Sequence, residues 1–143
     1  MNSIRLTILQ KKYSDMKEII ISQESPEAIG PYSQAIRAGD FLYVSGQIAL
    51  DHLTGELKMT TIAEEVECVL KNLCAVLKAG GALPKDVIKC TVFLSDMGLF
   101  AQVNTYYSQV FGDLSPARET VAVSGLPKGV RVEISAIAYL PLT

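Results

Sequence analysis

Residues 61–79 decide most about how this chain can fold. Ile62, Val66, Val69, Leu70, Leu73, Val76 and Leu77 recur with the 3.6-residue period of an α-helix, so one face of the segment is apolar and the other polar. Thr61 followed by Glu64 reads as a capping box, each side chain satisfying a backbone N–H that the helix start leaves without a partner. Gly80-Gly81 then closes the helix, because glycine supplies the left-handed conformation that ends many helices. A helix with a single apolar stripe needs an apolar surface to lie on.

The rest of the chain supplies that surface as strands. Residues 17–22 carry Ile19-Ile20-Ile21, and Pro26, Gly30 and Pro31 mark the loop that follows. Residues 32–37 and 41–45 read as two strands joined by Ala38-Gly39-Asp40, a hairpin signal. Residues 87–94 form a β-branched strand, and Asp96 is placed to cap a second helix running to Phe111 with Phe100, Val103, Tyr106, Tyr107 and Val110. Pro116 breaks the chain before strands at 119–123 and 130–140, separated by a loop with Gly125, Pro127 and Gly129. The order strand-strand-strand-helix-strand-helix-strand-strand predicts an α+β domain, a mixed six-stranded sheet with both helices on one face. The other face then needs cover. With 143 residues the chain suits one domain, and with 49% hydrophobic residues the cover to expect is another copy of itself. Residues 1–15 read as an N-terminal tail, with Met16 a candidate for the true start, and 16–143 as the domain.

Charge and composition narrow the chemistry. Thirteen Lys+Arg against fifteen Asp+Glu, net charge −2 and no clustered basic face, speak against nucleic acid as the main partner. No apolar run approaches the roughly 20 residues of a membrane span. The first sixteen residues show neither a secretory apolar region nor a small-residue cleavage site, so a cytoplasmic location is expected. Cys68, Cys74 and Cys90 have spacing that suits neither zinc nor a disulfide framework, and read as buried thiols of a reducing compartment. His52 lies in a polar turn beside Gly55, a surface setting and not that of a catalytic imidazole.

Several residues could carry chemistry, each with a plainer alternative. Arg118 opens an apolar strand and offers a planar fork matched to a carboxylate; the alternative is a surface arginine paired with an acidic neighbour. Glu133 alternates with the apolar set Val132, Ile134, Ala136 and Ala138, and is either a solvated sheet residue or a carboxylate able to orient or deprotonate water. Gly46 directly after a strand marks a bulge or the close approach of a ligand or another chain. Tyr32 offers a ring and hydroxyl at a loop–strand junction, and Asn104 sits mid-helix among aromatics.

Taken in order, Ile29-Gly30-Pro31-Tyr32-Ser33-Gln34-Ala35, Val44-Ser45-Gly46-Gln47-Ile48, Pro116-Ala117-Arg118, Leu126-Pro127-Lys128 and Val132-Glu133-Ile134-Ser135-Ala136-Ile137-Ala138 carry a resemblance. The chain resembles the RidA/YjgF family, whose members also go by translation inhibitor and L-PSP endoribonuclease, over 16–140. The resemblance implies a chorismate-mutase-like fold, a homotrimer with clefts between subunits, and hydrolysis of 2-imino acids such as 2-iminobutanoate and 2-iminopropanoate, and their enamine tautomers, to 2-oxo acids and ammonia. It implies no cofactor and no metal. Carried over by position, Arg118 binds the substrate carboxylate and Glu133 positions the attacking water, while Tyr32, Ser45, Gly46, Asn104 and Thr120 line the cleft.

Two positions depart from the family pattern. Thr120 stands where cysteine is frequent, in a contact made largely through backbone, and Ser135 replaces a common second glutamate, leaving the proton-relay details open. A trimeric 2-oxo-acid-binding protein without turnover and a ribonuclease remain the competing functions.

Overall fold

The structure, a computed structural model, describes residues 4, 5, 7 and 16–141; the expected N-terminal tail falls almost wholly outside them. Strands β1 (Glu18–Ile20), β2 (Ala35–Ala38) and β3 (Phe41–Gln47) precede helix α1 (Ile62–Ala79). Strand β4 (Val87–Leu94), helix α2 (Phe100–Phe111), β5 (Ala117–Ala122) and β6 (Val132–Tyr139) complete the order. The sheet runs β1-β2-β3-β6-β4-β5, and β4 with β5 is its parallel pair while the other neighbours are antiparallel. The expected mixed six-stranded α+β sheet is therefore what forms.

The strand alternation sets the two faces. On β6, Val132, Ile134, Ala136 and Ala138 are buried beneath the helices, while Glu133, Ser135 and Ile137 face the other way. Val69, Leu73, Val76 and Leu77 of α1 and Val103, Tyr107 and Phe111 of α2 complete the same core. The opposite face exposes Phe41, Tyr43 and Tyr139, whose rings cluster with centroids 5.5 Å apart for Phe41–Tyr139 and 6.4 Å for Phe41–Tyr43. Among the described residues no helix is long and apolar enough to cross a membrane.

Four local expectations change. The strands expected at 17–22 and 130–140 are trimmed, Gly129 ending a 3-10 turn before β6; that expected at 32–37 is shifted to Ala35–Ala38, and that expected at 119–123 begins earlier, Ala117 pairing with Lys89 directly after Pro116. Thr61 does cap α1, accepting from Glu64 N at 3.1 Å, but the Glu64 carboxylate reaches back to Thr60 N at 2.9 Å, so the capping box closes one residue early. Asp96 caps a 3-10 turn (Met97–Leu99), accepting from Gly98 N at 2.6 Å, and α2 starts only at Phe100. Gly81, not Gly80, takes the left-handed conformation (φ +84°), and Ala82 N bonds Leu77 O at 2.8 Å in a Schellman closure. Gly80 is there for space: a Cβ would come within 2.8 Å of Leu42 Cδ1.

Candidate active site

A cleft of about 290 Å³ opens on the sheet face that turns away from the helices, between the loop before β2 and the ends of β3 and β6. Tyr32, Gln34, Ser45, Gly46 and Glu133 line it, with Ile29, Ile48 and Pro127 as apolar walls. A buried amide holds one wall in shape. Gln34 Oε1 accepts from Ser22 N at 2.7 Å, while its Nε2 donates to Pro26 O at 2.7 Å and Ser25 Oγ at 3.0 Å. Ser45 is tied to the same wall, its hydroxyl donating to Ser33 O at 2.6 Å and its N–H to Gln34 O at 3.0 Å. The Tyr32 hydroxyl accepts from Ile29 N at 3.2 Å, which fixes the loop and leaves the ring half exposed to the cleft.

Glu133 reaches the cleft because β3 makes room for it. Between Val44 and Gln47 the β3–β6 register shifts, Val44 facing Ala136 and Gln47 facing Ile134, so the bulge falls on Ser45-Gly46. A Cβ on Gly46 would lie 2.8 Å from Glu133 Cδ and 3.0 Å from its Cγ. The bulge expected at Gly46 is what forms, and the group it makes room for is a side chain of the same chain. Burial pushes the Glu133 carboxyl above its ordinary value, and the group makes no hydrogen bond or ion pair with the described residues.

Arg118 lies elsewhere. In the parallel register it stands beside Cys90, and Thr120 beside Val92, so both point toward the helix side at the sheet edge, opposite to Glu133. The Arg118 guanidinium carbon sits 4.7 Å from the Tyr107 ring centroid and 5.5 Å from that of Phe100, both on α2. No described carboxylate pairs with it. The acidic neighbour, Glu119, faces the other way and is held by Lys89 at 3.0 Å, a contact that draws its carboxyl below the ordinary range. Asn104 falls on the same helical stripe as Phe100 and Tyr107, four residues after the one and three before the other. The Thr120 hydroxyl is buried without a hydrogen-bond partner.

The expected site residues thus form two groups. Tyr32, Ser45, Gly46 and Glu133 share the cleft, while Arg118, Thr120 and Asn104 gather at the β5–α2 edge. Within one subunit the sheet separates them. Gln34 and Gln47 line the cleft and were legible only as letters inside the motifs; the signal for Gln34 was a polar side chain on the buried side of a strand start. The thiols are held protonated by burial in all three cysteines, which makes them poor nucleophiles.

Comparison with known proteins adds four likenesses. A family model described as Endoribonuclease L-PSP matches residues 22–140. A RutC family protein of Pyrococcus horikoshii is 51% identical over 124 residues, covering 87% of this chain and 98% of the relative. The 2-iminobutanoate/2-iminopropanoate deaminase of Homo sapiens is 43% identical over 129 residues, covering 90% of this chain and 94% of the relative. The crystal structure of E. coli TdcF with bound serine superposes with a TM-score of 0.81 at 39% identity, covering 85% of this chain and 98% of that one.

Proposed function

The chain belongs to the RidA/YjgF family, whose family model is described as endoribonuclease L-PSP, and on that premise we propose that it hydrolyses 2-imino acids and their enamine tautomers to 2-oxo acids and ammonia. The observation that carries this reading is the state of Arg118: its guanidinium is steadied by two rings and lacks a carboxylate partner among the described residues. A cation held in this way is suited to an incoming organic acid, which it binds through two parallel hydrogen bonds.

The chemistry asks little else. An iminium carbon is already electrophilic, so positioning supplies most of the rate. Glu133 takes a proton from water as the oxygen bonds to C2. Glu133 returns that proton to nitrogen; as the C–N bond breaks and ammonia leaves, the hydroxyl oxygen forms the C=O bond and gives up its own proton to Glu133, which releases it to solvent. Burial raises the proton affinity of Glu133, which strengthens it as a base. Because Arg118 and Glu133 face opposite sides of one sheet, the complete site requires the Arg118 edge of one copy against the Glu133 cleft of another. We take the assembly to be the homotrimer that the family resemblance implies, acting in the cytoplasm.

A second reading, binding without turnover, has one observation behind it: a relative of this fold holds serine. The test is a coupled assay in which threonine dehydratase generates 2-iminobutanoate. The expected result is faster ammonia release with the wild-type protein and a loss of at least about 100-fold in kcat/KM for Arg118→Ala. An unchanged imine lifetime, with melting temperature raised by 2-oxobutanoate, would leave a binder. RNA cleavage that survives Arg118 and Glu133 substitution would point instead to a ribonuclease.

A further inference from the structure

Arg118 owes its orientation to residues outside the expected site. Phe100 and Tyr107 lie two helical turns apart on the same stripe of α2, and their rings approach the guanidinium from that side at 5.5 Å and 4.7 Å. Tyr107 is only 5% exposed, and its ring is fixed in turn by Phe111, centroid to centroid 4.6 Å. Its hydroxyl is buried, with the Cys90 thiol and the Arg118 guanidinium as its polar neighbours. The ring contact with the cation, and not the hydroxyl, is what orients the arginine.

We infer that Tyr107, assisted by Phe100, is a positioning residue that fixes the plane of the Arg118 guanidinium and so sets how tightly the site holds an organic carboxylate. This rests on reading Arg118 as the carboxylate clamp. A free arginine side chain must surrender rotamer freedom when it grips an acid; one already held against rings has surrendered part of it beforehand. Because ground state and transition state carry the same carboxylate, loss of the rings weakens binding of both alike, and the effect falls on KM with kcat retained.

The experiment measures the Kd of 2-oxobutanoate by calorimetry, and KM and kcat in the dehydratase-coupled assay, for the wild-type protein, Tyr107→Leu, Tyr107→Phe, Phe100→Leu and Arg118→Ala. Tyr107→Leu is expected to raise Kd and KM about ten-fold with kcat retained, and Tyr107→Phe, which keeps the ring, to stay within about three-fold of wild type. Phe100, 39% exposed, can be changed with little risk to folding, so Phe100→Leu decides the matter if Tyr107→Leu does not fold, with an expected rise of about three-fold. Unchanged Kd in the folded ring variants, or a fall in kcat at constant KM, overturns the positioning role. If Arg118→Ala still binds as the wild type does, or the wild type does not bind at all, the clamp reading itself fails; if Arg118→Ala loses binding and the ring variants keep it, only the positioning inference does.

Discussion

The Glu133 carboxylate enters the cleft over Gly46, whose missing Cβ leaves it the room. Alternation along the last strand put Glu133 opposite the buried Val132 and Ile134, and that much is pattern. That the carboxylate needs the missing Cβ of Gly46 across the sheet is a matter of register between strands that lie far apart in sequence. The raised carboxyl pKa has a consequence with a definite sign. Its folded value exceeds the ordinary 4.5, so the proton binds the folded state better, a contribution present below 4.5 and lost as pH rises through the folded value. At neutral pH the charged form therefore weighs against the fold. Glu133→Gln is expected to melt no lower than wild type at pH 8 while its kcat falls about 100-fold. In the wild-type profile the acid limb of kcat/KM should lie above 4.5 and be absent from the variant. A clear drop in melting temperature at pH 8, with the acid limb retained, would contradict this account.

Helix α1 was the most legible element, and it still concealed its main tertiary tie. Its period, its Thr61 cap and its glycine closure all follow from local chemistry. Glu65 lies at the margin of the apolar stripe and reads as one more surface acid. In the fold it is fully buried and accepts from Arg131 N at 2.7 Å, Val132 N at 3.2 Å and Arg131 Nε at 2.6 Å. Arg131 Nη2 in turn donates to Met59 O at 2.9 Å. These partners lie 66 and 67 residues along the chain, beyond any window that a local pattern can cover. The tie clamps the start of β6 onto α1, one residue before Glu133. Glu65→Ala leaves a half-buried arginine and two strand N–H groups without their acceptor, and should lower the unfolding free energy by about 3 kcal/mol in a urea titration. Glu65→Gln keeps an acceptor oxygen and should cost about 1 kcal/mol. Equal losses from both variants would show that the charge, and not the hydrogen bonding, carries the tie.

At the scale of the whole molecule, composition and geometry converge. The 49% hydrophobic content asked for a covered sheet face, and the face away from the helices does present Phe41, Tyr43 and Tyr139 to solvent in a single subunit. The same face holds Glu133, while Arg118 lies over the far edge. What a single sequence could not reveal is that its expected site residues divide between the two sides of one sheet, because the division depends on strand order. A site shared between copies can be tested by mixing. Arg118→Ala subunits keep Glu133, Glu133→Gln subunits keep Arg118, and each variant alone should be nearly inactive. Unfolded together at equal amounts and refolded, the chains assort at random. A site that draws Glu133 from one copy and Arg118 from its neighbour is then intact with probability one half times one half, so the mixture should recover about a quarter of wild-type turnover. If both residues acted within one subunit, no assortment could restore a site and the mixture would stay as inactive as its parts. Sedimentation analysis of the same samples distinguishes a failure to assemble from a failure to complement.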